Sequence, residues 1–61
     1  MTDWKSLVGK RVLIRPFLCT QVFEAKVIEV SPSGKFVKLR YCSGEEQWKD
    51  AELIDVEEVL E

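Results

Sequence analysis

A chain of 61 residues with 46% hydrophobic residues, 33% charged residues and a net charge of -2 has the composition of one small folded domain, which excludes a disordered tail. It contains no run of about 18 apolar residues and no N-terminal signal pattern, so we expect a cytoplasmic protein without a membrane span. Histidine is absent, which excludes Ser/His/Asp and Cys/His catalysis, and the two cysteines, Cys19 and Cys42, are too few for a structural zinc site.

The N-terminal segment predicts a short helical turn. Thr2 is a good N-cap residue, and Gly9 is placed to end the turn. Trp4, Leu7 and Val8 lie at helical spacing, so we expect them to pack together and to close one end of a core.

The first strand is predicted at residues 10–16, where apolar and basic side chains alternate. Val12 and Ile14 share one face, and Arg11 and Arg15 share the other. Pro16 has no N–H for a ladder hydrogen bond, so the strand is expected to end there.

Residues 17–22 follow as an unusually apolar loop, and residues 23–30 read as the second strand. The alternation of this strand begins at Phe23 and slips by one residue at Ile28. Such a slip is typical of a β-bulge, which bends a strand and increases its twist.

A turn over residues 31–34, with Pro32 and Gly34, separates this strand from a third one at residues 35–41. One face of the third strand carries Val37, Leu39 and Tyr41, and the other face carries Phe36, Lys38 and Arg40. The first set is therefore predicted to face the core.

Ser43 and Gly44 predict the next turn, followed by a short fourth strand at residues 45–49. Residues 50–52 suit a single helical turn, and residues 53–56 read as a fifth strand. The acidic residues 55–61 are expected to fray, with Val59 and Leu60 packing beyond the strand. Five short strands at this spacing predict an all-β fold that closes into a small barrel.

At this point residues 9–56 resemble the Tudor-like branch of the SH3-like barrels. The resemblance lies in Gly9-Lys10-Arg11-Val12, in Phe23-Glu24-Ala25-Lys26-Val27, and in Gly34, Val37, Leu39, Tyr41, Gly44, Glu46, Trp48 and Leu53. It implies one five-stranded SH3-like (Tudor-like) barrel domain over residues 1–61, with short helical turns at the N-terminus and before the last strand.

The resemblance also implies a binding module with an aromatic cage, because Tudor-like domains hold methylated lysine or arginine by cation–π attraction. The candidate cage residues are Phe17, Phe23, Tyr41 and Trp48. The alternative is structural: a chain this short needs aromatic rings in its core, and Phe23, Phe36 and Trp48 are expected to serve there. We therefore expect a non-catalytic adaptor for a protein or peptide, or a small subunit of a complex.

A nucleic-acid-binding surface is the alternative function. Residues 1–43 carry eight Lys/Arg and three Asp/Glu, whereas residues 44–61 carry one Lys and eight acids. The basic set comprises Arg11, Arg15, Lys26, Lys35, Lys38 and Arg40, with Phe36 as a stacking ring. One basic strand face with an aromatic ring is typical of single-strand binding. Self-association between the basic and acidic parts of two copies is a third alternative.

We expect no enzymatic activity and no cofactor. Glu45 and Glu46 are adjacent on a strand and point to opposite faces, so they are not an acid–base pair. Plasmid-type dihydrofolate reductase is an SH3-like enzyme with a Val-Gln-Ile-Tyr strand, of which residues 46–49 match only the glutamine. The two cysteines are expected as reduced thiols, at least one partly buried, with a disulfide between them left open.

Overall fold

A computed structural model describes residues 3–60 as an all-β domain with two short 3₁₀ helices. The strands are β1 (Arg11–Pro16), β2 (Phe23–Val30), β3 (Phe36–Tyr41), β4 (Glu46–Asp50) and β5 (Ile54–Val59), and the 3₁₀ helices span Trp4–Leu7 and Ala51–Leu53. The five predicted strands and both predicted helical turns are present; β2 has the predicted ends, and the ends of the other strands shift by at most three residues.

The strands form one antiparallel sheet in the order β4-β3-β2-β1-β5. Within residues 3–60 no ladder joins β4 to β5, so the sheet is open and these two strands are its edges. The predicted closure is therefore not observed. Closure requires a hydrogen-bonded ladder between the two edge strands, and the chain instead passes from β4 to β5 through the 3₁₀ helix Ala51–Leu53.

The core lies on one face of the sheet, called here the inner face. Its buried residues are Trp4, Leu7, Val12, Ile14, Ala25, Val27, Val37, Leu39, Ala51 and Ile54. Burial of each large aliphatic side chain contributes roughly 1.5–3 kcal/mol. Among the described residues, Trp4 is the one aromatic member of this core, and the other members are aliphatic.

The expectation that Phe23, Phe36 and Trp48 serve the core is wrong. These rings are 40%, 48% and 47% exposed, respectively. Short aliphatic side chains on β1, β2 and β3 already fill the inner face, so the rings lie at its margin or on the opposite face, called here the outer face. The fold thus leaves large apolar side chains for other contacts.

The N-terminal turn is confirmed as a 3₁₀ helix whose Trp4 and Leu7 pack on the core, whereas Val8 is exposed. The predicted cap, Thr2, lies outside the described residues. Gly9 adopts a φ of 87°, a region that favours glycine, and its N–H donates to the Val27 carbonyl at 2.7 Å. That bond ties the turn to β2.

The predicted bulge in β2 is confirmed. Val27 pairs with Leu39, but Glu29 pairs with Lys38, so Ile28 is the extra residue. A second irregularity, which the sequence pattern did not reveal, separates Leu13 from the following residue in the pairing of β1 with β5. Both bulges bend the sheet around the small core.

Strand β5 continues to Val59, so the expectation of an end at Val56 with fraying beyond it is wrong for the described residues. Val59 pairs with Val12, and the Leu60 N–H donates to the Arg11 carbonyl at 2.8 Å. Arg15 adds ion pairs to the acids of this strand, which offset their mutual repulsion.

Candidate binding cleft

Three of the four predicted cage residues meet at one cleft of about 480 Å³, called here the aromatic cleft. Its apolar walls are formed by Pro16, Phe17, Phe23, Tyr41, Leu53 and Ile54. Gln47, Lys49 and Asp50 supply its polar groups. The cleft lies between β4 on one side and the β1–β5 pair on the other, where the sheet is open.

Phe23 and Tyr41 reach the cleft because each is an inward-facing residue at the end of a strand. Phe23 opens β2 opposite Ile14, and Tyr41 closes β3 opposite Ala25. Alternation directs both rings to the inner face, but the core ends at these positions. The rings are therefore partly exposed and form walls of the cleft.

Phe17 is positioned by the turn that follows β1. Its N–H donates to the Leu53 carbonyl at 2.6 Å, and the Cys19 N–H donates to the Pro16 carbonyl at 3.0 Å. These bonds hold the start of the loop against the 3₁₀ helix before β5. The Phe17 ring is 64% exposed at the margin of the cleft.

Leu18 is the strained residue of this turn. Its φ of 64° is left-handed, a conformation that costs a side-chain-bearing residue roughly 1–2 kcal/mol. The side chain is 89% exposed, so burial does not compensate for that cost. Strain of this kind concentrates at binding sites. Leu18 thus extends the apolar surface beside Phe17 at the expense of stability.

Tyr41 gives the cleft a neutral hydroxyl. Burial raises the pKa of Tyr41 above its usual value of 10.0, and the nearby Glu45 carboxylate raises this pKa further. Glu45 in turn accepts a hydrogen bond from the Gln47 amide. The phenol is therefore protonated at neutral pH and is able to donate a hydrogen bond to a ligand.

The sequence analysis missed several residues of the cleft. Leu53 and Ile54 were assigned to a strand, and Gln47 and Lys49 to the fourth strand without a role. Leu53 is nevertheless 49% exposed in the structure. The one signal in the sequence was the apolar composition of residues 17–22, which does not specify what lies across from the loop.

Trp48, the fourth predicted cage residue, lies on the outer face and does not reach the cleft. It pairs with Lys38, whose ammonium lies 6.0 Å from the centre of the indole ring. Trp48 and Phe36 line a separate groove of about 600 Å³ with Val30 and Pro32. The predicted four-ring cage is therefore divided between two faces of the sheet.

The basic residues of the outer face form a partial row. Lys26 pairs with Arg11 on one side and with Arg40 on the other. The three border a shallow groove of about 140 Å³ together with Glu24. The row thus consists of three basic residues, and the acidic Glu24 lies beside it.

Acidic residues are interleaved with most of the predicted basic surface. Arg11 lies 3.6 Å from Glu24, and Arg15 lies 2.9 Å from Glu57. Lys35 does not join this surface, because it lines a different groove with Asp3 and Glu52. The predicted set of six basic residues therefore does not form one uninterrupted patch.

Glu46 is the most strongly paired acid of the outer face. It accepts hydrogen bonds from Arg40 at 2.5 and 2.8 Å and lies 3.5 Å from the Lys38 ammonium. The hydrogen bond from Arg40, with the positive charges of Arg40 and Lys38, holds the pKa of Glu46 below its usual value. These contacts neutralise much of the basic character of β3.

Cys19 and Cys42 are free thiols, and both are exposed, which corrects the expectation that at least one is partly buried. The described part of the chain holds no group of three or more metal-ligating side chains. Nor do these residues include a helix with the length and apolar character to cross a membrane.

Comparisons of the chain with protein-family models, with curated proteins and with solved structures found no match. The aromatic cleft and the outer face are therefore the features that bear on its function.

Proposed function

We propose that this chain is a non-catalytic binding module of the SH3-like (Tudor-like) kind, and that its aromatic cleft holds a segment of a protein or peptide partner. One observation carries the proposal: Phe17, Phe23 and Tyr41 converge on a cleft whose volume is typical of a binding site. Apolar walls with a few polar groups are the usual composition of such sites.

The exposure of the cleft residues supports an interaction more than a structural role. Phe17 and Leu18 lie mostly in water, and Leu18 does so in a strained conformation. Adjoining apolar side chains of this kind mark sites that a partner covers. Covering the cleft would recover apolar burial that the free protein forgoes.

The polar groups of the cleft favour binding over catalysis. Tyr41 has a raised pKa and stays protonated near neutral pH, so it supplies no base. Lys49, Asp50 and Gln47 complete the polar set, and they suit hydrogen bonds and ion pairs with a peptide. A neutral phenol with one cation and one anion is well suited to orienting a ligand.

The strand arrangement supports the barrel part of the proposal. Strand β1 pairs with both β2 and β5, and a 3₁₀ helix lies between β4 and β5. Two bulges interrupt the ladders, and bulges bend strands, which a small barrel needs in order to close. In such a barrel, the gap between β4 and β5 is an opening in the wall, and the cleft lies at this opening.

Single-stranded nucleic acid at the outer face is the second candidate. The observation in its favour is the pair of exposed rings, Phe36 and Trp48, beside Lys38 and the row of three basic residues. Stacking on such rings with neutralisation of phosphates is the usual mode of single-strand binding. The ion pairs of Glu24 and Glu46 oppose it, because a phosphate would have to displace them.

A matched pair of variants separates the two candidates. Phe17→Ser alters the cleft and Phe36→Ser alters the outer face, and both replace an exposed phenylalanine. We expect peptides from a panel of basic, acidic, apolar and methyl-lysine sequences to bind the wild type. Phe17→Ser should weaken that binding by about tenfold or more, and Phe36→Ser should leave it unchanged. Calorimetry and NMR shift mapping measure both effects.

Tryptophan fluorescence tests the second candidate, nucleic-acid binding at the outer face. Trp4 is buried and Trp48 is half-exposed beside Phe36 on the outer face, so a base that stacks there should quench the emission of Trp48. An oligothymidylate that quenches Trp48, binds more tightly than every peptide and loses affinity in Phe36→Ser would overturn the cleft proposal in favour of nucleic acid.

A further inference from the structure

Strand β4 has a free edge beside the aromatic cleft. It pairs with β3 on one side, and within residues 3–60 no strand pairs with its other side. Two backbone hydrogen bonds show which of its groups face β3. Tyr41 N–H donates to the Glu45 carbonyl at 2.9 Å, and Ala51 N–H donates to the Lys35 carbonyl at 2.8 Å.

Hydrogen-bonded positions alternate along an antiparallel pair. Residues 45 and 51 face β3, so Gln47 and Lys49, at the same parity, also face β3. The N–H and C=O groups of Glu46, Trp48 and Asp50 consequently point away from β3, toward the free edge. This edge offers three donors and three acceptors to an incoming strand.

The geometry also determines where the side chains of an added strand would lie, because they alternate between the two faces. Those beside Gln47 and Lys49 would lie on the inner face, next to the cleft that both residues line. Those beside Glu46, Trp48 and Asp50 would lie on the outer face, next to the indole ring and two carboxylates. The Asp50 carboxylate also accepts a hydrogen bond from the Glu52 N–H at 3.0 Å, and Asp50 lines the end of the cleft. A strand with alternating apolar and basic residues therefore fits both faces.

The charge around the cleft favours the same ligand. Strand β4, the second 3₁₀ helix and β5 together span residues 46–59, which carry six acids and one lysine. The sequence-level excess of acid thus becomes an acidic border on both edges of the open sheet. Some of these acids already pair with Arg15, Lys38 or Arg40, but the border keeps a negative balance.

We propose, as a step that rests on the proposed function, that the partner of the aromatic cleft is an extended, basic segment with alternating apolar residues, which adds as a strand to the free edge of β4. Its main-chain groups pair with Glu46, Trp48 and Asp50. Its apolar side chains enter the cleft, and its basic side chains meet the acidic border. Main-chain bonds supply affinity in this mode, and side-chain pockets supply specificity.

The same charges argue against a second copy as the occupant. Pairing β4 with β4 or β5 of another copy would bring two acidic borders together, and like charges opposite each other destabilise a ladder. A short, charged edge strand also protects a protein against indiscriminate pairing. That protection rejects acidic and uncharged strands, and it admits a strand of opposite charge.

The test uses a seven-residue peptide that alternates lysine and valine, with two controls. One control replaces lysine by glutamate, and the other has the same composition in an order without alternation. We expect the alternating peptide to bind at least about tenfold more tightly than either control. Binding should slow hydrogen exchange at the amides of Glu46, Trp48 and Asp50, as measured by NMR.

Backbone methylation of the peptide tests the pairing directly. In antiparallel pairing, the orientation of every observed ladder of this sheet, lysines opposite Glu46, Trp48 and Asp50 direct their N–H groups at β4, whereas the valine N–H groups point away. Methylation of the lysine amides should therefore reduce binding by about tenfold or more, and methylation of the valine amides should not. Equal effects of the two methylation patterns would overturn strand addition.

Variants of the protein test the charge. Glu46→Gln with Asp50→Asn removes two carboxylates beside the proposed strand, and the control Glu24→Gln with Glu29→Gln removes two from the outer face of β2. Only the first pair should weaken binding of the alternating peptide. Equal binding of all peptides, preference for the acidic one, or no binding at all would overturn the inference.

The test distinguishes failure of this inference from failure of the proposed function. Peptide binding that is lost in Phe17→Ser without added protection of β4 keeps the cleft proposal and overturns strand addition. Protection of β4 by a peptide whose binding ignores Phe17→Ser supports strand addition and overturns the role of the cleft. Protection of the same amides in the free protein at high concentration would show that a second copy occupies the edge.

Discussion

The outer face and the aromatic cleft differ in how many contacts their side chains make within the chain. On the outer face, charged groups lie opposite partners on neighbouring strands, and Arg40 with Glu46 is the closest pair. At the margin of the cleft, Phe17 and the adjoining Leu18 are large apolar side chains that lie mostly in water. Ion pairs within the chain thus satisfy several charges of the outer face, where Phe36 and Trp48 stay half-exposed, whereas the apolar side chains at the cleft gain burial only from an added partner.

This difference shows how little a cluster of charges in the sequence says about the surface of a sheet. Basic residues dominate β1 and β3, but antiparallel pairing places Glu24 and Glu46 among them. Cross-strand pairs contribute about 0.2–1 kcal/mol each, so they form wherever register allows. Apolar residues in the loop after β1 have no equivalent partner within the described residues.

The largest expected effect compares the two faces of a single strand. Leu39→Ala removes a fully buried inner-face side chain and should lower the free energy of unfolding by about 2–5 kcal/mol. Arg40→Ala, one residue later on the outer face, should cost less than about 1 kcal/mol, because exposed ion pairs are weak. Urea unfolding of both variants measures the contrast, and equal losses would contradict the separation of the faces.

A smaller effect of opposite sign is expected in the loop. Leu18→Asn relieves the left-handed strain, because asparagine tolerates that conformation, and should raise the free energy of unfolding by up to about 1 kcal/mol. The same variant should weaken ligand binding at the cleft, since it removes an exposed apolar side chain. A gain of stability with unchanged binding would show that Leu18 lies outside the interface.

The smallest effect concerns the pH dependence of the outer face. The pKa of Glu46 is lower in the folded protein than its ordinary value of 4.5, so the contribution of the carboxylate is present above pH 4.5 and is lost as the pH falls through the folded pKa. The stability difference between wild type and Glu46→Gln should be constant at neutral pH and vanish in acid. Thermal melts across this range test the trend, and a difference that persists in acid would contradict it.

The class of fold and the number of strands were predictable because alternation and turn residues act locally. Val37 and Leu39 face the core as predicted, and the bulge at Ile28 appears as a change of phase in the sequence. The same local rules do not specify which strands lie close enough to pair with each other. Closure of the sheet depends on the distance between β4 and β5, which no alternation pattern contains.

The position of Trp48 depended on a turn length. The β3–β4 turn places Tyr41 opposite Glu45, and this register puts Trp48 opposite Lys38 on the outer face. A register shift by one residue would have placed Trp48 on the same face as Tyr41, as the predicted cage required. Three of the four predicted cage residues therefore line one cleft, whereas the grouping of Trp48 with them is wrong.

The open gap between β4 and β5 gives the cleft a property that a sealed cavity lacks. Gln47 lines it from one edge strand and Ile54 from the other, so a segment lodged there would touch both margins of the sheet at once. A partner strand paired with β4 would add a sixth strand at the open edge of the sheet. The melting temperature should then rise with ligand concentration, because the ligand binds the folded state. Strands β4 and β5 should separate from the sheet together, and only after the ligand has dissociated.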